Sequence, residues 1–263
     1  MAQRPISIVV PTFCEAANIP ILTRQLFDSL RAADVSAELI FVDDDSGDGS
    51  EEAVGELAAE YDVRIIVRKG QRGLSSAVLR GFAEAKHDIL VCMDADLSHP
   101  PESVPAVVAP VAAGEADFAI GSRYVAGGRT KDDWGLLRWI NSKGATLMAR
   151  PLTAVRDPMA GFFCIPRSVL RRAEQAGLNP IGYKVALEIM IKARCRSVRE
   201  IPIEFADRLH GESKLTLRQQ LQYIRHLMRL YRFRWPVLAP AIATVVLIAI
   251  LFIVSKVLGV GGS

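Results

Sequence analysis

Cysteine and histidine are scarce, four of each in 263 residues. Cys14, Cys92, Cys164 and Cys195 lie far apart, with no C-x-x-C spacing and no nearby histidine pair for zinc, and read as reduced, mostly structural thiols. His87, His99, His210 and His226 are equally scattered, so no metal cluster or histidine-based triad is visible, and each reads as structural. An excess of one charge is also missing. The formal net charge is +3, and without a long basic tract or an aromatic-basic stripe the chain gives no sign of a nucleic-acid partner. Glycine is absent where a dinucleotide-binding fold needs it. The stretch Pro11 to Asn18, after the first apolar run, holds none, which excludes G-x-G-x-x-G there and a P-loop with it. No internal repeat or low-complexity tract is present.

What the chain does have is alternation. Near-continuous apolar runs at 6–10, 37–42, 63–68 and 88–93 are separated by helical patterns at 19–32, 51–60 and 74–85. Such spacing predicts an α/β fold with a mostly parallel sheet covered by helices on both faces. Farther on, 116–124 and 160–166 read as strands, 134–152 as an amphipathic helix, 184–193 as a helix, 198–205 as an alternating strand, and 217–233 as a basic amphipathic helix. Trp134 and Trp139, with Arg138 and Lys143, suit either a lipid interface or packing on the sheet.

One long apolar run stands out. Pro236 to Val254 is 19 residues without a charge, and at about 1.5 Å per residue a helix of that length spans a hydrocarbon core of roughly 30 Å. The run has no polar face, so a membrane helix over 236–258 is expected. Arg225, Arg229, Arg232 and Arg234 precede it and only Lys256 follows, which predicts a single pass with the N-terminal side cytoplasmic and the C-terminus opposite. The residues before "ISIVV" are too few for a signal peptide, in keeping with a cytoplasmic domain. The expected organisation is a cytoplasmic domain over 1–214, a basic juxtamembrane helix over 215–235 facing anionic lipid, and the span.

Ligands bind such sheets at the carboxyl ends of the strands. Three polar clusters fall there: "PTFCEAAN", "DDDSGDGS" and "DADLSHPP". In the last, Asp94 and Asp96 stand two apart, so in extended chain they share a face and repel unless a cation joins them. Hard oxygen ligands of this kind suit Mg²⁺ or Mn²⁺. An isolated D-x-D is common by chance; convergence of three clusters is not. "DDDSGDGS" also offers Ser46 or Asp48 as a cap for the helix that follows.

The chain resembles the dolichol-phosphate mannosyltransferase group of glycosyltransferase family two over nearly all of residues 5 to 235. The stretches that carry the resemblance are "PTFCEAANI", "VDDDSGDGS", "DADLSHPPE", "GSRYVAGG", "DPMAGFF", "GYKVALEI" and "REIPIEFADRLHGESKL". The resemblance implies a GT-A type nucleotide-sugar fold with a metal-bridged diphosphate. It implies donor contacts from Pro11, Phe13, Glu15, Val42, Asp44, Asp94, Ala95 and Asp96, and a metal on Asp94 and Asp96. Arg123, Arg208 and Lys214 then grip phosphates. Family members carry a glutamine at the third metal position where this chain has Ser98, a shorter side chain that leaves either a water or a changed metal preference. Phe13 and Cys14 replace the usual tyrosine and asparagine, and Ala160 a usual serine.

The expectation is therefore an inverting transfer of mannose from GDP-mannose to a polyprenyl or dolichyl monophosphate at the cytoplasmic membrane face. The alternatives are a UDP-sugar such as UDP-glucose as donor, or a non-catalytic nucleotide-sugar-binding subunit of a membrane glycan complex.

Overall fold

The computed structural model of the chain describes residues 4–130, 144–206 and 217–237. Strand β1 (Ile6–Thr12) shows how the fold is built. Ile6, Ile8 and Val10 enter one apolar cluster and Val9 another, on the opposite face, all four fully buried. A strand apolar on both faces is stable only between two covering layers. Three β-α units follow one another: α1 (Ile19–Ala32) leads to β2 (Ala37–Asp43), α2 (Ser50–Leu57) to β3 (Val63–Val67), and α3 (Leu74–Glu84) to β4 (Ile89–Cys92). Then come α4 (Val104–Ala112), β5 (Phe118–Ser122), β6 (Arg129–Thr130) and a helical segment α5, described over residues 144–149. The chain continues through β7 (Phe163–Pro166), α6 (Arg167–Gln175), α7 (Val185–Lys192), β8 (Val198–Pro202), β9 (Glu204–Phe205) and α8 (Leu217–Arg234).

The main sheet has seven strands in the order β3-β2-β1-β4-β7-β5-β8, and β6 pairs with β9 beside it. Within the main sheet only β7 runs against its neighbours, so the mostly parallel sheet expected from the sequence is present with one reversed strand. Helices α1, α2 and α4 cover one face through Leu22, Leu26, Val54 and Val107; α3, α6 and α7 cover the other through Val78, Phe82, Leu170 and Ile189. Gly81 lets α3 approach closely, since a Cβ there would stand 2.3 Å from Val9 Cγ1. Burial pushes the thiols of Cys92 and Cys164 well up, as befits unreactive core residues.

The strand order places the site. From β1 the chain winds outward to β3, then returns across to β4 on the other side of β1. Between β1 and β4 lies the topological switch, and the crevice beyond their carboxyl ends is where such sheets take ligands.

Several sequence expectations shift. The strand expected over 116–124 is confined to Phe118–Ser122, and that over 160–166 starts only at Phe163. The strand expected over 198–205 breaks at Ile203, because β8 pairs with β5 while β9 pairs with β6. Helices α4 and α6 were not among the expected elements. Most of the helix expected over 134–152 lies outside the described residues, and α5 is its described end. The membrane helix expected over 236–258 lies outside them from residue 238 onward; among the described residues no helix is long and apolar enough to cross a membrane.

Helix α8 packs against α7 and α5 through Tyr223, Leu227 and Leu230, which meet Leu187, Ile191 and Ala149. The Tyr223 and Tyr231 hydroxyls donate to the carbonyls of Ala145 and Met148, each at 2.6 Å. A buried charge joins the helices as well. Glu188 of α7 lies 2.8 Å from His226 Nε2 of α8 and 2.7 Å from Lys192 Nζ, and accepts the Asn179 N–H at 3.0 Å. Burial alone would raise its pKa, but these partners push it down to about 2. A depressed carboxylate stabilises the fold above its unfolded pKa of about 4.3 and loses that contribution as pH falls toward the folded value. Glu188→Gln should therefore cost about 2–3 kcal/mol at neutral pH, and the gap from wild type should narrow below about pH 4 and close only near about pH 2. Denaturant unfolding of both proteins across that range checks it.

Candidate active site

The loops after β1 and β2 are stitched together before any ligand arrives. Ser46 Oγ accepts the Cys14 N–H at 2.8 Å, and Asp48 Oδ2 accepts the Ala16 N–H at 3.0 Å. Asp43 accepts from Thr12 Oγ1 and the Ser46 N–H. Asp48 also accepts from the Ser50 N–H and hydroxyl, so it serves the first turn of α2, whereas Ser46 serves the β1 loop. Much of "DDDSGDGS" is thus scaffolding.

On this side of the crevice the expected donor residues fall into two groups. Phe13, Glu15 and Asp44 lie on the loops and Pro11 at the end of β1; Val42 is fully buried in the core under α3, beside Gly81. Phe13 is 45% exposed, and the Arg72 guanidinium lies 4.4 Å from its ring centroid, a cation on an aromatic face. Glu15 accepts from the Asn18 amide at 2.6 Å. Asp44 was expected to meet base or ribose, yet it is already engaged. Its Oδ1 takes the Arg68 guanidinium through Nε and Nη2, and its Oδ2 takes the Gly73 N–H at 2.7 Å. Arg68 goes on to Ser76 and the Gly73 carbonyl, so Asp44 fixes the loop before α3. One acceptor position on Oδ2 remains for a ligand.

The second side is the loop after β4. The strand ends at Cys92, so Asp94 and Asp96 are placed by a turn rather than by a pleat, with Leu97 at φ 61. Ala95, between them, is buried in the core. Asp96 Oδ1 accepts the Ser98 N–H at 3.1 Å and the Ser98 hydroxyl at 2.6 Å. That hydroxyl spends its proton on Asp96, so Ser98 holds the carboxylate in place. His99 Nδ1 accepts the Asp94 N–H at 2.9 Å and therefore bears no proton; its 3.7 Å approach to Asp94 Oδ2 is not an ion pair. The ring is fully inside, stacked on Phe162 and edge-on to Phe205.

Opposite stands Arg123, directly after β5. Its Nε and Nη2 meet the two oxygens of Asp157, each at 2.8 Å, and its backbone N–H joins at 3.1 Å. Burial works against the guanidinium charge, but the fully buried Asp157 more than offsets this and raises its pKa. Asp157 opens the loop to β7, whose Gly161 faces Asp94: a Cβ there would lie 3.6 Å from both carboxylate oxygens. The same loop offers the Met159 carbonyl to Lys184 Nζ at 3.1 Å. Arg208 and Lys214, the other two expected cations, lie outside the described residues.

The set of donors fits a divalent cation of the magnesium type. No group of three potential side-chain ligands exists among the described residues, but such ions commonly use one or two carboxylates and complete their shell with substrate phosphate and water. Asp94 and Asp96 meet that requirement, and the space kept by Gly161 opens on Asp94.

A family model described as glycosyl transferase family 2 matches residues 7–173. A protein from Mycosarcoma maydis named dolichol-phosphate mannosyltransferase is 43% identical over 260 residues, 96% of this chain and 88% of that protein. The protein of that name from Saccharomyces cerevisiae is 44% identical over 236 residues, 87% of this chain and 88% of its own length. The chain belongs to this family. It is a glycosyltransferase of the dolichol-phosphate mannosyltransferase group. Its fold also matches solved structures: mannosyl-3-phosphoglycerate synthase from Rubrobacter xylanophilus, with a TM-score of 0.66 at 15% identity over 87% of this chain and 74% of that one. Glucosyl-3-phosphoglycerate synthase from Mycobacterium tuberculosis, in complex with Mn²⁺, UDP and phosphoglyceric acid, gives 0.62 at 21% identity over 88% and 79%. The GT-A-like fold expected from the sequence is thereby shown.

In this family frame Asp157, Lys184, His99 and Arg68 are the residues that sequence reading left without a role. Asp157 and Lys184 sit inside quoted motifs, but Asp157 meets its partner across 34 positions, and no local spacing announces that. His99 read as a lone structural histidine; it is structural, and what it supports is the Asp94 loop. A Gly161→Ala substitution fits the protein at ordinary contact distances while placing a methyl over Asp94. It should leave the melting temperature within about 2 °C and lower glycosyl transfer at least about tenfold; calorimetry and a transfer assay check both.

Proposed function

We propose that the protein transfers mannose from GDP-mannose to a polyprenyl monophosphate at a membrane surface, inverting the anomeric carbon to give a β-linked lipid phosphosugar. The observation that carries this reading is the Asp94–Ser98 loop set at the sheet's switch point across from the Arg123–Asp157 pair. In the transfer, an oxygen of the acceptor phosphate forms a bond to the anomeric carbon and the bond from that carbon to the donor diphosphate breaks, releasing GDP. The acceptor needs no general base: a phosphate monoester has a second pKa of about 6 and is already an oxyanion at neutral pH. A divalent cation, Mg²⁺ or Mn²⁺, supplies neutralisation of charge on the departing diphosphate.

The chain's own residues do the positioning. Asp94 and Asp96 would hold the cation, Ser98 and His99 fix their loop, and Arg123, locked by Asp157, sets a rigid guanidinium on the opposite edge. Phe13 and Arg72 offer a flat apolar and cationic platform suited to a nucleotide base. Arg208 and Lys214 are assigned to the phosphates through the family motif.

The membrane setting is part of the proposal. Leu221, Ile224, Arg225, Met228 and Arg232 share the outward face of α8, and Leu147 and Met148 of the adjoining α5 are exposed too. Apolar residues interleaved with arginines suit an anionic lipid interface. With the apolar run 236–254 as a single-pass anchor, the catalytic part lies on the cytoplasmic face and the C-terminus across the membrane.

With purified protein and a short polyprenyl phosphate, labelled sugar should enter extractable lipid from GDP-mannose and not from UDP-glucose or UDP-N-acetylglucosamine. Chelator should abolish transfer, and Asp96→Ala should lower it by about two orders of magnitude or more. Label from UDP-glucose alone would replace the donor assignment, and tight nucleotide binding without turnover from any donor would turn the reading into a binding subunit.

A further inference from the structure

Among the cations around the crevice, Lys184 is placed differently from Arg123. The Arg123 charge is matched oxygen for nitrogen by Asp157. Lys184 Nζ donates to one neutral acceptor, the Met159 carbonyl at 3.1 Å, and lies 4.4 Å from the Tyr183 ring centroid. No carboxylate stands within ion-pair distance of it among the described residues. An ammonium has three donors, and this contact uses one.

Its surroundings are those of a waiting anion site. The residue keeps partial contact with solvent, yet its pKa is pushed down to about 8, first by desolvation of the ammonium and then by repulsion from Arg123, against the pull of Asp157 and Asp94. The hydrogen bond to Met159 sets the ammonium end against the loop before β7. It is held there from both directions. Gly182, at φ 72, turns the chain beside Gln222 of α8 and into Lys184, and the carbonyl that Lys184 meets belongs to Met159, two residues after Asp157, the partner of Arg123, and two before Gly161, the neighbour of Asp94. A desolvated cation without a counter-charge weakens a fold. A protein that keeps one at the rim of its site has it ready for an anion that comes and goes.

We propose that Lys184 is a phosphate-binding residue of the transfer site, its ammonium closing on a phosphoryl oxygen of the donor diphosphate or of the acceptor monophosphate. The assignment rests on the reading of the substrates given above, in that both carry phosphate.

The test uses the full chain in detergent: wild type, Lys184→Met and Lys184→Arg, with GDP, UDP, inorganic pyrophosphate and a short polyprenyl phosphate as probes. Lys184→Met should fold with a melting temperature equal to or above wild type, because it removes a desolvated charge that has no ion-pair partner among the described residues. It should lose at least about tenfold in affinity for one class of probe and keep the other. Loss on GDP and pyrophosphate assigns the donor diphosphate; loss on the lipid phosphate assigns the acceptor. Because binding holds the ammonium in its charged form, wild-type affinity for that probe should fall as pH rises from about 7 to about 9, and the Lys184→Arg profile should stay flat. Lys184-dependent binding of pyrophosphate or lipid phosphate in a protein that ignores nucleotides would uphold the assignment while overturning the donor reading. Wild-type affinities retained by Lys184→Met for every probe would overturn it. So would a lowered melting temperature with equal loss on all probes, or a wild type that binds none of them.

Discussion

Everything at the carboxyl end of this sheet depends on how carboxylates are held close together. Asp43 at the end of β2 and Asp44, Asp48, Asp94, Asp96 and Asp157 in the loops are gathered at this end of the sheet, and desolvated carboxylates so placed would repel one another. The protein answers with hydroxyls and backbone N–H groups for some and guanidinium partners for others. Asp43 and Asp48 collect hydroxyls and backbone N–H groups, Asp44 takes the Arg68 guanidinium, and Asp157 takes Arg123. Asp94 keeps about a third of its side chain in solvent, on the side that Gly161 leaves open. The remaining negative charge is thereby concentrated where a divalent cation and a diphosphate would meet it.

The same economy explains why so many of the charged groups already have protein partners. A glycosyl transfer between two phosphates needs little covalent help and much rigid placement, since the barrier lies in bringing two anions to one carbon in line. Arg68–Asp44 and Arg123–Asp157 are pairs with both partners largely desolvated. Such pairs add little to stability over apolar replacements, but they fix loop geometry on both sides of the crevice. Helix α8 extends this frame outward, tied through Glu188 and two tyrosine hydroxyls, and carries its exposed apolar stripe at a set angle to the site.

Much of the frame was legible in the sequence because parallel strands buried on both faces leave unbroken Val, Ile and Leu runs, as at Ile6–Val10 and Ile89–Val91. Helix α4 escaped reading because "VPAVVAPVA" has no polar face and carries Pro110 within it. The break at Ile203 is a change of strand partner, which alternation of side chains does not record. In the site, residue types at strand ends pointed to Asp94 and Asp96 as a pair on one extended face, whereas β4 ends at Cys92 and a turn carries both. Their orientation depends on the turn at Leu97 and on His99, and no periodicity encodes that. Asp44 illustrates the converse: a carboxylate in the right motif turned out to be engaged by Arg68, which sits 24 residues away at the end of another strand.

The claim on which the account turns is that Asp94 and Asp96 hold a divalent cation shared with the donor diphosphate. Paramagnetic titration of Mn²⁺ into the full chain, with and without GDP, tests it most directly. The account predicts one ion per chain, bound far more tightly with GDP present and lost in both Asp94→Asn and Asp96→Asn variants that remain folded. Mn²⁺ affinity unchanged by either substitution, or indifferent to GDP, would contradict it.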